Sequence, residues 1–229
     1  RAFLIAVALF LACVAARSPV LNHAGGLVAA GIVGVLIAAF VGGLVFAGRS
    51  GWCGTFCPLG PIQRTYGHAP LVVVPNGYCP TCVGCQKNCY DFNPRGAIFA
   101  DLVDSDPRYA SQRRLFIGLL PGLIGAYFLQ GPTQTYGYEL YLAILLAACC
   151  ASADLYAIAT SCFPLSPHRV AAVFAAVALA IFYWFGGPVV LGTLSHFLSF
   201  TAPEWLTVAS RGVGVVGGLI LLGTSLYAE

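Results

Sequence analysis

The chain contains no methionine and little charge: Lys, Arg, Asp and Glu together make up 8% of its 229 residues. A soluble globular domain carries about 25% of such residues, so a water-facing surface over the whole molecule is excluded. The last apolar run ends at Tyr227-Ala228-Glu229 with no polar tail, and the first residue is Arg1. The sequence therefore reads as a segment of a longer polypeptide. The basic residues lack the interleaved polar and aromatic pattern of a nucleic-acid surface and the net charge is only +3, so no nucleic-acid partner is expected. No cleavable signal peptide is legible, because the run from Ala2 to Ala16 leads through Arg17 into another full span.

What is abundant is apolar surface, at 59% of residues, with a mean hydropathy of +0.85. A hydrocarbon layer about 30 Å thick needs about 20 apolar residues per helix. Six runs suit that purpose: Ala2 to Ala16, Gly25 to Gly48, Leu115 to Gln130, Leu140 to Thr160, Val170 to Gly186 and Leu206 to Tyr227. The expected fold is an all-α integral membrane protein of about six transmembrane helices with one cytoplasmic, ferredoxin-like loop. It divides into a first hairpin (1–48), the polar loop (49–114), a second hairpin (115–162) and a third hairpin (163–229). The run from Leu115 is short and contains Pro121, so it must borrow turns from its flanks. The stretch from Gly187 to Pro203 is too short to cross and is expected to form a separate interfacial or re-entrant helix.

The polar loop holds Arg49, Arg64, Lys87, Arg95, Arg108, Arg113 and Arg114, seven of the eleven basic residues. By the positive-inside rule it faces the cytoplasm of a bacterial inner membrane. Trp52 then marks the inner boundary, and Tyr136, Tyr138, Tyr183, Trp184 and Trp205 the outer one.

Within that loop runs Cys79-Pro-Thr-Cys82-Val-Gly-Cys85-Gln-Lys-Asn-Cys89, the C-x2-C-x2-C-x3-C spacing of a bacterial ferredoxin. Two-residue gaps let the backbone wrap one corner of a cubane while its amides aim at the sulfides, and Gly84 permits close approach. Zinc sites more often pair two C-x2-C knuckles a dozen or more residues apart. The expected cofactor is one [4Fe–4S] cluster held by Cys79, Cys82 and Cys85, with Cys57 or Cys89 completing the set. Cys89 precedes Tyr90, whereas Cys57 precedes Pro58 and closes a C-x3-C-P fragment that begins at Cys53. A second cluster would need Cys53 and whichever of Cys57 and Cys89 remains, plus further ligands. Cys13, Cys149, Cys150 and Cys162 lie in or at the ends of apolar runs and read as small buried side chains.

The hairpin ending in Cys53-Gly-Thr-Phe-Cys57-Pro58-Leu59 is echoed by one ending in Ser161-Cys162-Phe163-Pro164-Leu165, with Ile158 where a first cysteine would stand. On Trp52 to Gly60, Cys79 to Cys89 and Cys162 to Leu165, the chain resembles the NapH/NosR-type polytopic membrane ferredoxins. That group typically has two full ferredoxin motifs and two intact C-x3-C-P motifs, and this chain keeps one of each. The resemblance implies electron transfer between a quinone pool or soluble donor and a partner redox protein, in respiration or in metalloenzyme maturation. The expected partner is a redox protein or a fused soluble domain.

Haem is not expected, since His23, His68, His168 and His196 sit at or beyond helix ends and neither C-x-x-C-H nor a methionine ligand occurs. Asp154 and Arg211 fall inside apolar runs and form a candidate intramembrane polar site: they pair with each other, or Asp154 helps to protonate a quinone. Two rival functions use the same residues. One is a redox-sensing regulator or metalloenzyme assembly factor built on the cluster. The other is a membrane thiol–disulfide oxidoreductase using Cys53 with Cys57, or Cys149 with Cys150.

Overall fold

The structure, a computed structural model, describes residues 2–16, 25–45, 57–66, 102, 107–130, 137–201 and 203–227. All regular structure among them is helical: α1 (Ala2–Ala15), α2 (Gly25–Val45), α3 (Gly60–Tyr66), α4 (Pro107–Leu129), α5 (Tyr138–Cys162), α6 (Pro167–Phe197) and α7 (Glu204–Tyr227). Three of these, α5, α6 and α7, are long and apolar enough to cross a membrane. In α1 and α2 the apolar stretches Phe3–Ala15 and Gly26–Gly42 are shorter. Helix α4 gains the length its apolar run lacks by starting at Pro107, which brings Arg113 and Arg114 into its second turn and lowers its hydropathy. The interfacial segment expected as a separate helix from Gly187 is instead the last three turns of α6, which runs unbroken for 31 residues through Pro188. A proline inside a helix removes one backbone bond, and neighbouring helices can offset that loss in an apolar setting.

The helices fall into two compact units, one comprising Arg1–Arg64 with Gln130–Ala143, the other Thr65–Leu129 with Ile144–Glu229. In the first unit Tyr141 is buried, and its hydroxyl donates to the Val14 carbonyl at 2.8 Å. The last four carbonyls of a helix have no intrahelical donor. The Tyr141 bond therefore satisfies one of those left over at the end of α1. Helix α2 has no polar side chain and exposes Leu27, Leu36, Phe40 and Leu44.

The second unit is held by close helix approach. A Cβ on Gly122 of α4 would collide with the Ala148 carbonyl of α5, and one on Gly118 would lie 2.9 Å from Tyr156 Cβ. The backbone of α4 is near enough for Ser152 Oγ to donate to the Gly118 carbonyl at 2.6 Å. The α6–α7 seam repeats the device. Gly214 abuts Tyr183, and a Cβ on Gly218 would lie 2.9 Å from the Ala176 carbonyl. Between apolar helices in lipid there is no hydrophobic drive to associate, so glycine pairs four residues apart gain stability through dispersion and short polar contacts. Around these seams Leu102, Ile117, Tyr156, Val170, Ala171 and Phe174 form the core, with Tyr156 and Phe174 edge to face at 5.0 Å.

Polar contacts close the ends. Ser166 caps α6 by accepting from the Arg169 amide at 3.3 Å, with Pro167 in the first turn. Buried His168 donates through Nε2 to the Ser225 carbonyl of α7 at 3.3 Å. Arg114 grips the Leu102 carbonyl through Nε at 3.1 Å and Nη2 at 2.7 Å. At the far end of α6 the chain turns through Ser199 at φ 53°. There the Phe200 amide donates to the Ser195 carbonyl at 3.0 Å, as in a Schellman turn.

Candidate iron–sulfur site

Of the six cysteines expected to serve a cluster, Cys57 lies among the described residues, while Cys53, Cys79, Cys82, Cys85 and Cys89 lie outside them. Cys57 opens a tight turn in which its carbonyl accepts the Gly60 amide at 2.9 Å, and the chain passes directly into α3. Proline at 58 restricts the backbone after the cysteine, and fully buried Pro61 anchors the start of the helix, while Leu59 between them is exposed. Cys57 is thus held half-buried at a rigid corner, and it is a free thiol. Such a group has the donor chemistry of an iron–sulfur ligand, because a thiolate on a constrained turn coordinates iron without reordering its backbone. Among the described residues alone, no three His, Cys, Asp or Glu side chains converge on one point.

The echo of this turn at the end of α5 differs in structure as well as in sequence. Cys162 is an exposed free thiol, Ile158 is helical and exposed, and Phe163 to Leu165 lead into the capped start of α6. Both cysteines precede a proline-containing turn and then a helix. The remaining described cysteines are free too: Cys13 and Cys150 are exposed and Cys149 is half-buried. Exposure on apolar helices replaces the buried environment expected for Cys13, Cys150 and Cys162. The small thiol is compatible with either setting.

Arg211 and Asp154 occupy different surroundings. The Arg211 guanidinium lies 5.3 Å from the centre of the Trp184 ring on α6, and its Nε is buried with no hydrogen-bond partner. Cation–π contact of this kind is worth about 0.5–2 kcal/mol and offsets part of the cost of desolvating the charge. Asp154 is exposed on α5, and among the described residues no ion pair joins it to Arg211. Of the histidines, His168 is engaged as above, His196 is exposed in the last turn of α6, and His23 and His68 lie outside the described residues. Sequence reasoning passed over Tyr156, whose hydroxyl is buried without a hydrogen-bond partner, because an aromatic on an apolar helix gives no signal of the wedge that encloses it.

Residues 27–73 match the family model of a 4Fe-4S binding domain. The match takes in α2 from Leu27 onward and all of α3, as well as Cys53 and Cys57, and it ends before Cys79. It supports an iron–sulfur, ferredoxin-like protein, a reading consistent with electron transfer through a cluster. No curated protein and no solved structure matches the chain.

Proposed function

We propose that this protein is a multi-pass electron carrier of a bacterial cytoplasmic membrane. It passes electrons through a [4Fe–4S] cluster at the cytoplasmic face, between a quinone pool or soluble donor and a partner redox protein. The observation that carries the reading is the match of residues 27–73 to a 4Fe-4S binding domain, within six residues of a C-x2-C-x2-C-x3-C run. Cys79, Cys82 and Cys85 would hold the cluster, with Cys57 or Cys89 as the fourth ligand. When bound, such a cluster supplies a one-electron couple whose potential follows its hydrogen bonds and solvent exposure.

The chain's own residues do the positioning. The Cys57 turn, fixed by Pro58 and Pro61, sets one thiol directly before α3. Arg114, in the second turn of α4, is locked to the carbonyl of Leu102. In the six-span arrangement α1, α2 and α4 cross together with α5, α6 and α7, and four basic residues between α2 and α4, with three more in the first two turns of α4, hold that side in the cytoplasm.

The experiment is reconstitution of the full chain in lipid, followed by electron paramagnetic resonance after anaerobic addition of a quinol or a low-potential soluble donor. A cubane signal that rises on addition of either donor and decays on re-oxidation supports the carrier reading. A cluster that is present but inert to both donors contradicts it.

A further inference from the structure

Asp154 stands in α5, one of the three helices long and apolar enough to cross a membrane. The inference rests on that helix being a span and is independent of the iron–sulfur reading. Asp154 lies eight residues from Cys162 and sixteen from Tyr138, about 12 Å and 24 Å along the helix. Both distances place it inside a hydrocarbon layer of about 30 Å.

A helical side chain leaves the backbone tilted toward the helix N-terminus. For Asp154 that direction leads away from the nearer end, and its side chain is too short to reach either interface. Arg211 is the opposite case. It sits seven residues from Glu204, about 10 Å in, with its tilt toward the nearer end, a long stem and Trp184 to lie against. The fold thus accommodates the cation and leaves the carboxylate bare.

The helix packed on α5 at Ala153 and Tyr156, α4, carries Arg113 and Arg114, but Arg114 is engaged by the Leu102 carbonyl, and among the described residues neither forms an ion pair with Asp154. Helices α1 and α2 contain no Lys, Arg, His, Asp or Glu. Arg211 is the only basic residue within the apolar stretches of α5, α6 and α7, and it lies at a different level from its own helix start. A second copy would bring the same mismatch. Along α5, Ala147, Cys150, Asp154, Ala157 and Ser161 recur at helical spacing on one face, and all are exposed. Their small side chains allow another backbone to come close. We propose that this face docks a transmembrane helix of a second membrane protein, which presents a Lys or Arg side chain opposite Asp154.

The test is a benzoylphenylalanine photo-crosslinker at Ala157 of the full chain, irradiated in membranes of the producing organism. The expected result is a discrete adduct with another polypeptide, crosslinked through a transmembrane helix that carries Lys or Arg. Asp154→Leu, which suits a lipid-facing position and preserves the fold, should lower the yield at least tenfold, while Asp154→Glu keeps it. Asp154→Lys combined with an acidic replacement of the partner's cation should restore it. An adduct with a second copy, no adduct at all, or a yield indifferent to Asp154→Leu would overturn the proposal. Rapid labelling of Cys150 by a membrane-impermeant maleimide would overturn it at its premise, by showing that α5 is not a span.

Discussion

The glycine seams of the second unit and the cysteine-bearing segment after α2 divide the work of the molecule differently. At Gly122 and Gly214 the sequence is constrained by neighbouring backbone, and a single added carbon is felt at once. Around Cys57 it is constrained by chemistry: a thiol on a corner held by two prolines, with no bulky packing around Leu59. One region fails when volume is added, the other when sulfur is removed. Changes in either should therefore be separable by experiment.

The largest effect is expected from Cys82→Ser. Bound iron should fall to near zero, measured by metal analysis, while the helical circular dichroism of the purified chain stays within a few per cent, because the close contacts at Gly118, Gly122, Gly214 and Gly218 are made between helices. Next is Gly122→Leu, which drives a side chain into the Ala148 carbonyl. Overpacking of this kind costs about 3 kcal/mol, read as a lower unfolding midpoint in mild detergent. Ser152→Ala removes the 2.6 Å bond to the Gly118 carbonyl and tests whether the seam depends on polar contact as well as shape. Interhelical bonds in membranes average about 0.6 kcal/mol, so a loss of that order is expected on the same unfolding scale. The smallest effect belongs to Ser199→Gly, at the left-handed turn after α6. Glycine adopts that conformation without a Cβ clash, and the variant should be more stable by about 0.5 kcal/mol.

Much of the helical layout was legible because charge punctuates it. Glu139 and Glu204 stand at the first turns of α5 and α7, so the starts expected at Leu140 and Leu206 fall within two residues of Tyr138 and Glu204. The α6 boundary was not legible, since Gly186-Gly187-Pro188 reads as a break in any local scheme. It is helical because Gly186 packs against Phe128 and Gly187 against Ser210, contacts made across the fold. The same limit applies to the polar residues. Sequence marks Asp154 and Arg211 as costly in lipid, but Trp184 as the partner of Arg211 depends on the packing of α6 against α7. At the candidate site the spacing of Cys79 to Cys89 is a strong local signal. The weight of the Cys53–Cys57 segment is harder to see, because two cysteines and a proline specify little until the helix before them and the short helix after them are counted as part of one unit.

The most direct measurement is the iron and acid-labile sulfide content of the full chain purified without oxygen. Near four of each per chain, with one cubane signal on reduction, is the predicted result, and near eight would add a second cluster that draws on Cys53. Zinc without iron would contradict the account and make the cysteine run a structural clasp.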